Sequence, residues 1–315
     1  MQSMRRFFFA IEGPTSLVAI ALYTSWALLV WFHAHLPWWV LAPVGGYVVA
    51  WHFSLQHECI HSLRTAPAWL RWAVAMPPLG LWLPFPLYYH SHRQHHQNTP
   101  LTEPGVDTES VYMRNREWAD TPRWFKSILR ANMTLAGRVT IGPVLRLVRL
   151  VQREFGMIVR GDTAHVKHWL VHALLVSLVL GFVVGIAKMP LWQYLVLFFW
   201  PAFMYGWVRP FVENCYGPPA RIGRNGTDGP LAHARPGERV AVIESNQFWG
   251  LLFLYNNIHA VHHLYPRMPW YEIPAFFRAN RDRVLGHNGG YYFRGYAVVA
   301  RRRLFRPVFT PAHPR

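Results

Sequence analysis

A run of 45 residues without a charged side chain constrains this chain more than any other feature. From Gly13 to His57 the sequence contains no Asp, Glu, Lys or Arg. One helix that crosses a bilayer needs about 20 apolar residues, so the run is long enough for two helices with a hinge near Pro37. It predicts two membrane spans, at about 14–34 and 37–56.

A second apolar region has a similar organisation. Stretches without these charges cover 168–187 and 189–208, and Lys188 alone separates them. They predict two further spans, at about 168–187 and 189–209, joined by a tight turn. The stretch 72–92 is also uncharged, but its four prolines do not fit a straight spanning helix. We expect a re-entrant or interfacial segment there.

The positive charge lies almost entirely outside these four spans. The chain carries a formal net charge of +17, while 52% of its residues are hydrophobic and only 15% are charged, against about 25% charged in an average soluble domain. The apolar content makes a membrane, rather than nucleic acid, the expected partner of this charge. The positive-inside rule places both termini and the regions 57–167 and 210–315 in the cytoplasm.

These observations predict the fold class. We expect an all-α integral membrane protein that forms a single domain over residues 1–315, with two transmembrane helical hairpins and a cytoplasmic helical cap. The bacterial inner membrane is the expected location. Two cysteines are too few for a disulfide scaffold.

Histidines cluster in three boxes, all on the predicted cytoplasmic side. The first box has the spacing H-x-x-x-H, and the second and third share the spacing H-x-x-H-H. On a helix, residues separated by three or four positions lie on one face, so each box presents several imidazoles to one site. The eight histidines are His57 and His61, then His92, His95 and His96, then His259, His262 and His263.

Eight imidazoles in this arrangement indicate a metal centre. Imidazole suits iron, copper, zinc and nickel, and eight exceed the needs of one tetrahedral zinc ion. They suit two metal ions with room for dioxygen or water. The first box also matches the zinc-protease pattern H-E-x-x-H, but such a protease needs a further Asp ligand within a span, and the candidate Asp228 lies in a polar loop. A bis-histidine haem protein would instead pair single histidines across spans.

The order of the boxes and their position relative to the spans resemble the membrane-bound fatty acid desaturase and hydroxylase superfamily. Two flanking segments add to the resemblance: Asn98-Thr99 with Asp107-Thr108-Glu109 after the second box, and Leu264-Tyr265-Pro266 after the third. The similarity extends from the first span to about Arg283. It implies a non-haem di-iron centre on the eight histidines, dioxygen as co-substrate and a separate, ferredoxin-like electron donor.

On this resemblance we expect a dioxygen-dependent desaturase of a lipid-linked or carrier-linked fatty acyl chain. The alternative is a hydroxylase or ketolase of a carotenoid or fatty acyl substrate on the same fold. The expected partners are the acyl substrate, the electron donor and the membrane, and no nucleic acid.

The sequence departs from its relatives at one position of the expected centre. Asn214 stands where many relatives carry a further histidine. It could hydrogen-bond a metal-bound water, or it could only cap the end of a helix. Ligating histidines are usually held through their other ring nitrogen by carboxylates or carbonyls, so Asp107, Glu109 and Glu213 are candidates for that role. Plain surface salt bridges are the alternative for each.

Overall fold

A computed structural model describes residues 12–61, 66–97, 101–214 and 240–313 of the 315-residue chain. These residues are predominantly helical, with little strand. The chain divides into two compact units: the first unit comprises 1–89 and 146–206, and the second comprises 90–145 and 207–315. Of the features named above, Asn98-Thr99 and Asp228 lie outside the described residues.

The helices of the first half of the chain follow its apolar runs. In chain order they are α1 (Gly13–Trp31), α2 (Trp38–His61), α3 (Ala68–Ala75), α4 (Phe85–Gln97), α5 (Asn115–Asp120), α6 (Arg123–Ala131) and α7 (Leu135–Val159). A 3₁₀ turn, His33–His35, separates α1 from α2, at the predicted hinge. The proline-rich stretch ends α3 at Ala75 and delays the next helix until Phe85, because proline cannot continue a helix from its interior.

The second half contains the remaining helices and a short parallel pair of strands. The elements are α8 (Val166–Leu180), α9 (Leu191–Tyr194), α10 (Trp200–Val208), α11 (Pro210–Glu213), β1 (Val242–Ile243), α12 (Gln247–Leu252), α13 (His259–Leu264), α14 (Ile273–Ala279), α15 (Arg281–His287), β2 (Tyr292–Phe293) and α16 (Tyr296–Arg303). Two π-helical turns, Gly181–Ile186 and Leu195–Phe199, extend α8 and join α9 to α10.

Three helices in the described part of the chain are long and apolar enough to cross a membrane. They cover Gly13–Trp31, Val166–Ile186 and Leu191–Glu213, close to three of the four predicted spans. On α8 the side chains of Leu170, Leu174 and Leu178 are each more than 60% exposed. A row of exposed leucines is typical of a surface that meets another apolar phase. These helices indicate membrane association.

The helix α2 overlaps the remaining predicted span, at 37–56, but it is not among those three helices. It has 24 residues, which is enough length, yet polar side chains such as His52 and Gln56 dilute its apolar character. The number of spans therefore stays a prediction.

Aromatic and amide side chains join the helices of the first unit. The indole of Trp26 on α1 donates to the hydroxyl of Tyr194 on α9 over 3.0 Å, and that hydroxyl donates to the carbonyl of Leu79. The amide of Gln56 on α2 donates to the carbonyl of Ala75, at the end of α3. Each contact satisfies a polar group that would otherwise be costly inside an apolar core.

The second unit is built around a small apolar core beside the strands. Val242 and Ile243 of β1 pair in parallel with Tyr292 and Phe293 of β2. Buried side chains from β1, α13, α14 and α15 pack into one cluster: Val242, Ile258, Ala260, Val261, Ile273, Phe277 and Val284. This core holds the short helix α13 in place, although six residues alone would not form a stable helix in water.

Candidate metal centre

The second histidine box lies in the last two turns of α4. His92 and His95 are both 1% exposed. Pro86 is tolerated because it falls in the first turn, where no intrahelical N–H bond is required. The helix continues without interruption to Gln97, so the spacing of three and four residues brings His92, His95 and His96 onto one face, as the sequence predicts.

The loop that follows α4 returns two carboxylates to this box. The Nδ1 atoms of His92 and His95 lie 2.7 Å from Glu109 and Asp107 respectively. Asp107 is buried and also accepts from the backbone N–H groups of Thr102 and Glu109. The loop is held to the helix by the Thr108 hydroxyl, which donates to the carbonyl of Ser91. The contacts place both carboxylates where the sequence predicts them, on the ring nitrogen opposite Nε2.

The third box forms α13. His259 and His262 are buried. The Nδ1–H of His259 donates to the side-chain oxygen of Asn256 over 3.1 Å. Next to it, the amide of Asn257 donates to the carbonyl of Ile243, and the backbone N–H of Ala260 donates to the carbonyl of Ala241. The box is therefore attached to β1 and the residue before it, whereas the second box is attached to a loop.

The second and third boxes meet through their Nε2 atoms. The Nε2 of His262 lies 3.0 Å from that of His96, and the Nε2 of His263 lies 3.1 Å from that of His259. Two groups result, in each of which the potential ligand atoms lie within 4.8 Å of one another. One contains His92, His96 and His262, and the other contains His95, His259 and His263.

The donor chemistry of these groups fits a metal. With Nδ1–H donating to Asp107 or to Asn256, the Nε2 atoms of His95 and His259 carry their lone pairs, directed at the space that neighbouring imidazoles also face. Lone pairs at such distances repel one another unless a cation or a shared proton lies between them. An Nδ1–H held by a carboxylate or carbonyl oxygen is the usual support of a metal-binding imidazole.

Burial keeps most of these imidazoles in the neutral form that metals bind. Burial, together with the neighbouring imidazoles, holds the pKa values of His259 and His263 well below the ordinary range. Burial also lowers the pKa of His92, against the opposing charge of Glu109. For His95, burial acts in the same direction, but Glu109 and Asp107 outweigh it and raise the pKa. Burial would raise the pKa of Glu109, yet the facing charges of His92 and His95 hold it well below its usual value.

Two further predicted residues lie beside the group of His95, His259 and His263. The side-chain nitrogen of Asn214 lies 3.4 Å from the Nε2 of His95. The Glu213 carboxylate is 3.9 Å from the Nε2 of His259 and 3.7 Å from the Nε of Arg209. Glu213 thus faces the Nε2 of His259, whose Nδ1 is held by Asn256, and the supporting role proposed for Glu213 from the sequence stays a prediction.

The first box lies in the first unit, at the carboxyl end of α2. His57 is 4% exposed, and the ring centroids of His57 and His61 are 5.0 Å apart, so the two imidazoles share one helix face as their spacing predicts. Glu58, between them, is also buried. That these two histidines complete a centre with the other six stays a prediction.

Asn256 and Arg209 contact residues of the candidate centre, and neither was predicted from the sequence. Asn256 holds the Nδ1 of His259, and Arg209 faces Glu213. The position of Asn256, three residues before the first histidine of the third box, is the signal that could have identified it. The sequence contains no such signal for Arg209, because basic residues are common at the end of a membrane span.

A family model described as fatty acid desaturase matches residues 34–295, a range that contains all three histidine boxes and most of the chain. No curated protein matches the chain.

Proposed function

The chain belongs to the fatty acid desaturase family, and on that premise we propose that it is a dioxygen-dependent desaturase of a lipid-linked or carrier-linked fatty acyl chain. The observation that carries the proposal is the convergence of the second and third boxes: the Nε2 of His262 lies 3.0 Å from that of His96, and ligand atoms of His95, His259 and His263 lie within 4.8 Å of one another. A hydroxylase or ketolase acting on a carotenoid or fatty acyl substrate would use the same site, and product analysis separates these reactions.

We propose two iron ions as the resident metals. His95, His259 and His263 would hold one ion. His92, His96 and His262 would hold the other, together with His57 and His61 of the first box, which the family resemblance assigns to the same centre. When bound and reduced, the iron ions supply the activation of dioxygen that removal of hydrogen from an unactivated methylene requires, a reaction beyond acid–base side chains.

The protein's own contribution is to orient the ligands and to keep them neutral. Asp107 and Glu109 fix the rings of His95 and His92 through Nδ1, and Asn256 fixes that of His259. Such hydrogen bonds set the tautomer and the ring orientation and increase the basicity of the ligating nitrogen. Burial of His92, His95, His259 and His262 would also limit the access of water to the place where a reactive oxidant would otherwise be lost.

The proposal includes a topology. Four spans would form two hairpins, α1 with α2 and α8 with α9–α10, and both termini and the histidine boxes would face the cytoplasm of a bacterial inner membrane. The bias of Arg and Lys toward the regions outside the spans supports it. Reporter tags at Arg123 and at Lys188 test it, with Arg123 expected inside and Lys188 outside. A tag at Arg123 that reports the outside would contradict the arrangement.

The proposal also needs a separate electron donor. The arginine-rich regions that the proposed topology places in the cytoplasm would suit an acidic ferredoxin-like protein, although attraction to anionic headgroups explains such charge as well. Reduction of the purified protein by an acidic ferredoxin, measured across a range of salt concentrations, tests this. A rate that does not fall as salt rises would contradict charge-guided docking.

The central experiment combines metal and product analysis. We expect the detergent-purified protein to hold about two non-haem irons per chain, and expression in a host of defined lipid content to yield acyl chains that lack one pair of hydrogens. Loss of product in His96→Ala, with product retained in His287→Ala, an exposed histidine on α15, ties the activity to the centre. A gain of one oxygen atom in the product would favour the hydroxylase. One zinc ion per chain, without iron, would overturn the proposal and would favour a zinc protease that uses the H-E-x-x-H pattern of the first box.

A further inference from the structure

The two groups of histidines in the second unit are not surrounded by the same donors. His95, His259 and His263 form a group of three imidazoles, while the family resemblance places a further histidine near residue 214. This chain has Asn214 there instead. The question is which atom completes the coordination of a metal held by these three side chains.

The backbone holds Asn214 firmly at this position. Asn214 directly follows α11, with extended backbone angles of φ −117° and ψ 90°, and it forms an antiparallel bridge with Val240. The neighbouring carbonyl of Glu213 accepts from the N–H of Ala241. The chain from α11 is thus attached to the segment that leads into β1, and the Asn214 side chain has a fixed origin.

The Asn214 amide touches the metal-facing atom of a histidine. The Nδ1 of His95 is taken by Asp107, so only Nε2 remains for a metal. The nitrogen of the Asn214 amide lies 3.4 Å from that Nε2. With metal–ligand bonds of about 2.1 Å, neighbouring ligand atoms of a tetrahedral site lie about 3.4 Å apart. The amide therefore lies at the distance from His95 Nε2 that a neighbouring ligand atom would have.

The oxygen of the same amide is available. Asn214 Oδ1 is buried and makes no hydrogen bond within the described part of the chain, an arrangement that is unfavourable in a folded protein. Turning the amide by about 180° exchanges Oδ1 and Nδ2 within nearly the same volume and directs the oxygen toward the metal. Glu213 is the other oxygen donor nearby, but one of its oxygens faces Arg209, which offsets its charge.

We propose that Asn214 Oδ1 is a direct ligand of the metal held by His95, His259 and His263, giving this site three nitrogen donors and one oxygen donor. The inference rests on the proposed metal centre. An amide oxygen is a harder and weaker donor than imidazole toward divalent iron and zinc. The site with Asn214 is therefore the weaker of the two, fills last and releases its metal first.

The test measures iron retention in the full-length protein purified in detergent. We expect the wild type to release its two irons to a chelator in two separate phases. Asn214→Ala should weaken the retention of one iron by more than the roughly 10- to 100-fold typical of losing a hydrogen-bond partner of a ligand, and leave the other iron unchanged. Asn214→Asp should keep both irons because it retains an oxygen, and Asn214→His should slow the first release phase.

The matched control is Asn280→Ala. Asn280 is a half-buried asparagine of the second unit, whose amide donates to the carbonyl of Phe276. Its loss should lower stability while leaving both release phases as in the wild type. Asn214→Ala that keeps both irons with wild-type release would overturn the direct ligand. A wild type that binds no iron at all would instead overturn the proposed function, so the two failures are distinct.

Discussion

The second and third histidine boxes share the spacing H-x-x-H-H, yet the protein supports them by different means. The second box lies on the long helix α4, and the carboxylates of the partly exposed Glu109 and the buried Asp107 hold the Nδ1 atoms of His92 and His95. The third forms the six-residue helix α13, where the neutral Asn256 holds His259 and the apolar core carries the backbone. Equal spacing produces equal presentation of imidazoles, but the electrostatic support differs between the boxes.

The difference shows in the charge state of the ligands. Glu109 and Asp107 raise the pKa of His95 against the effect of its burial, and Glu109 opposes the lowering of the pKa of His92 without reversing it. In the third box a neutral amide holds the Nδ1 of His259, and the pKa values of His259 and His263 stay well below the ordinary range. A carboxylate makes the ligating nitrogen more basic, so the second box should hold a metal more strongly, ligand for ligand.

The largest effect should come from removing one ligand from each box. His95→Ala and His263→Ala should each abolish turnover and release at least one iron per chain, because three imidazoles are reduced to two in the same group. Iron content and product formation measure this, and His287→Ala should leave both unchanged. Full activity in either alanine variant would show that its box does not contribute to the shared centre.

A smaller but still strong effect is expected when the carboxylate support is neutralised. Asp107→Asn keeps the shape of the side chain but removes the charge that faces the Nδ1 of His95, and should weaken iron binding by about 10- to 100-fold. Competition with a chelator measures the change. Glu109→Gln is the comparison, and its effect should be smaller because Glu109 is more exposed. Equal losses in the two variants would contradict the dominant role of burial.

The neutral support of the third box should matter less. Asn256→Ala removes the oxygen that holds the Nδ1 of His259 but leaves the core beneath α13 intact. We expect a loss of about 1 kcal/mol in stability and a decrease in iron affinity below that of Asp107→Asn. Thermal unfolding and iron retention on the same sample measure both. A larger iron loss than in Asp107→Asn would reverse the proposed order of the two boxes.

The smallest effect concerns a carboxylate–imidazole pair outside the boxes. Glu154 on α7 accepts from His165, Trp169 and Arg153. Burial would raise the pKa of Glu154, but these hydrogen bonds outweigh it and lower the pKa below 4.5. A lowered pKa stabilises the fold above pH 4.5, and this contribution is lost as the pH falls through the folded-state value. Glu154→Gln should therefore flatten the acid limb of the stability profile.

The size of this last effect is limited by solvent screening, to a change of about 2 °C in Tm. Melting curves of the wild type and the variant between neutral pH and pH 3 measure it. If the two profiles stay parallel over the whole range, the pair of Glu154 and His165 contributes no charge-dependent stability. This pair then gives no support to a charge effect in the pair of Asp107 and His95.

The sequence predicted the presentation of the boxes because helical spacing is a local property. The faces of α2 and α4, and the return of Asp107 and Glu109 to the second box, follow from short separations along the chain. The position of α13 was not predictable in this way. It follows a turn in which Leu254 and Tyr255 have positive φ angles, a conformation that neither side chain favours and that surrounding contacts must impose.

Long-range contacts explain the other differences. The meeting of Asn214 with His95, 119 residues apart, depends on segments that come together only after folding, and the π-helical turns in Gly181–Ile186 and Leu195–Phe199 leave no pattern in the apolar composition. The predicted span at 37–56 overlaps a helix whose polar residues are buried inside the protein, among them His52. Hydropathy counts such side chains as though they faced lipid, so these buried residues lower the mean hydropathy of α2.

The contact of α2 with α10 and with the π-helical turn before it restricts which mutations a gene for this chain can inherit. Gly46 on α2 packs so closely against Pro201 that any Cβ atom at residue 46 would collide with it, and a Cβ at Gly45 would lie 2.9 Å from the ring of Phe198. Every missense change of a glycine codon adds a side chain. Every missense substitution at Gly46 should therefore be unfavourable. Its codon can change without cost only by synonymous substitution, or together with a compensating change in the packing against Pro201.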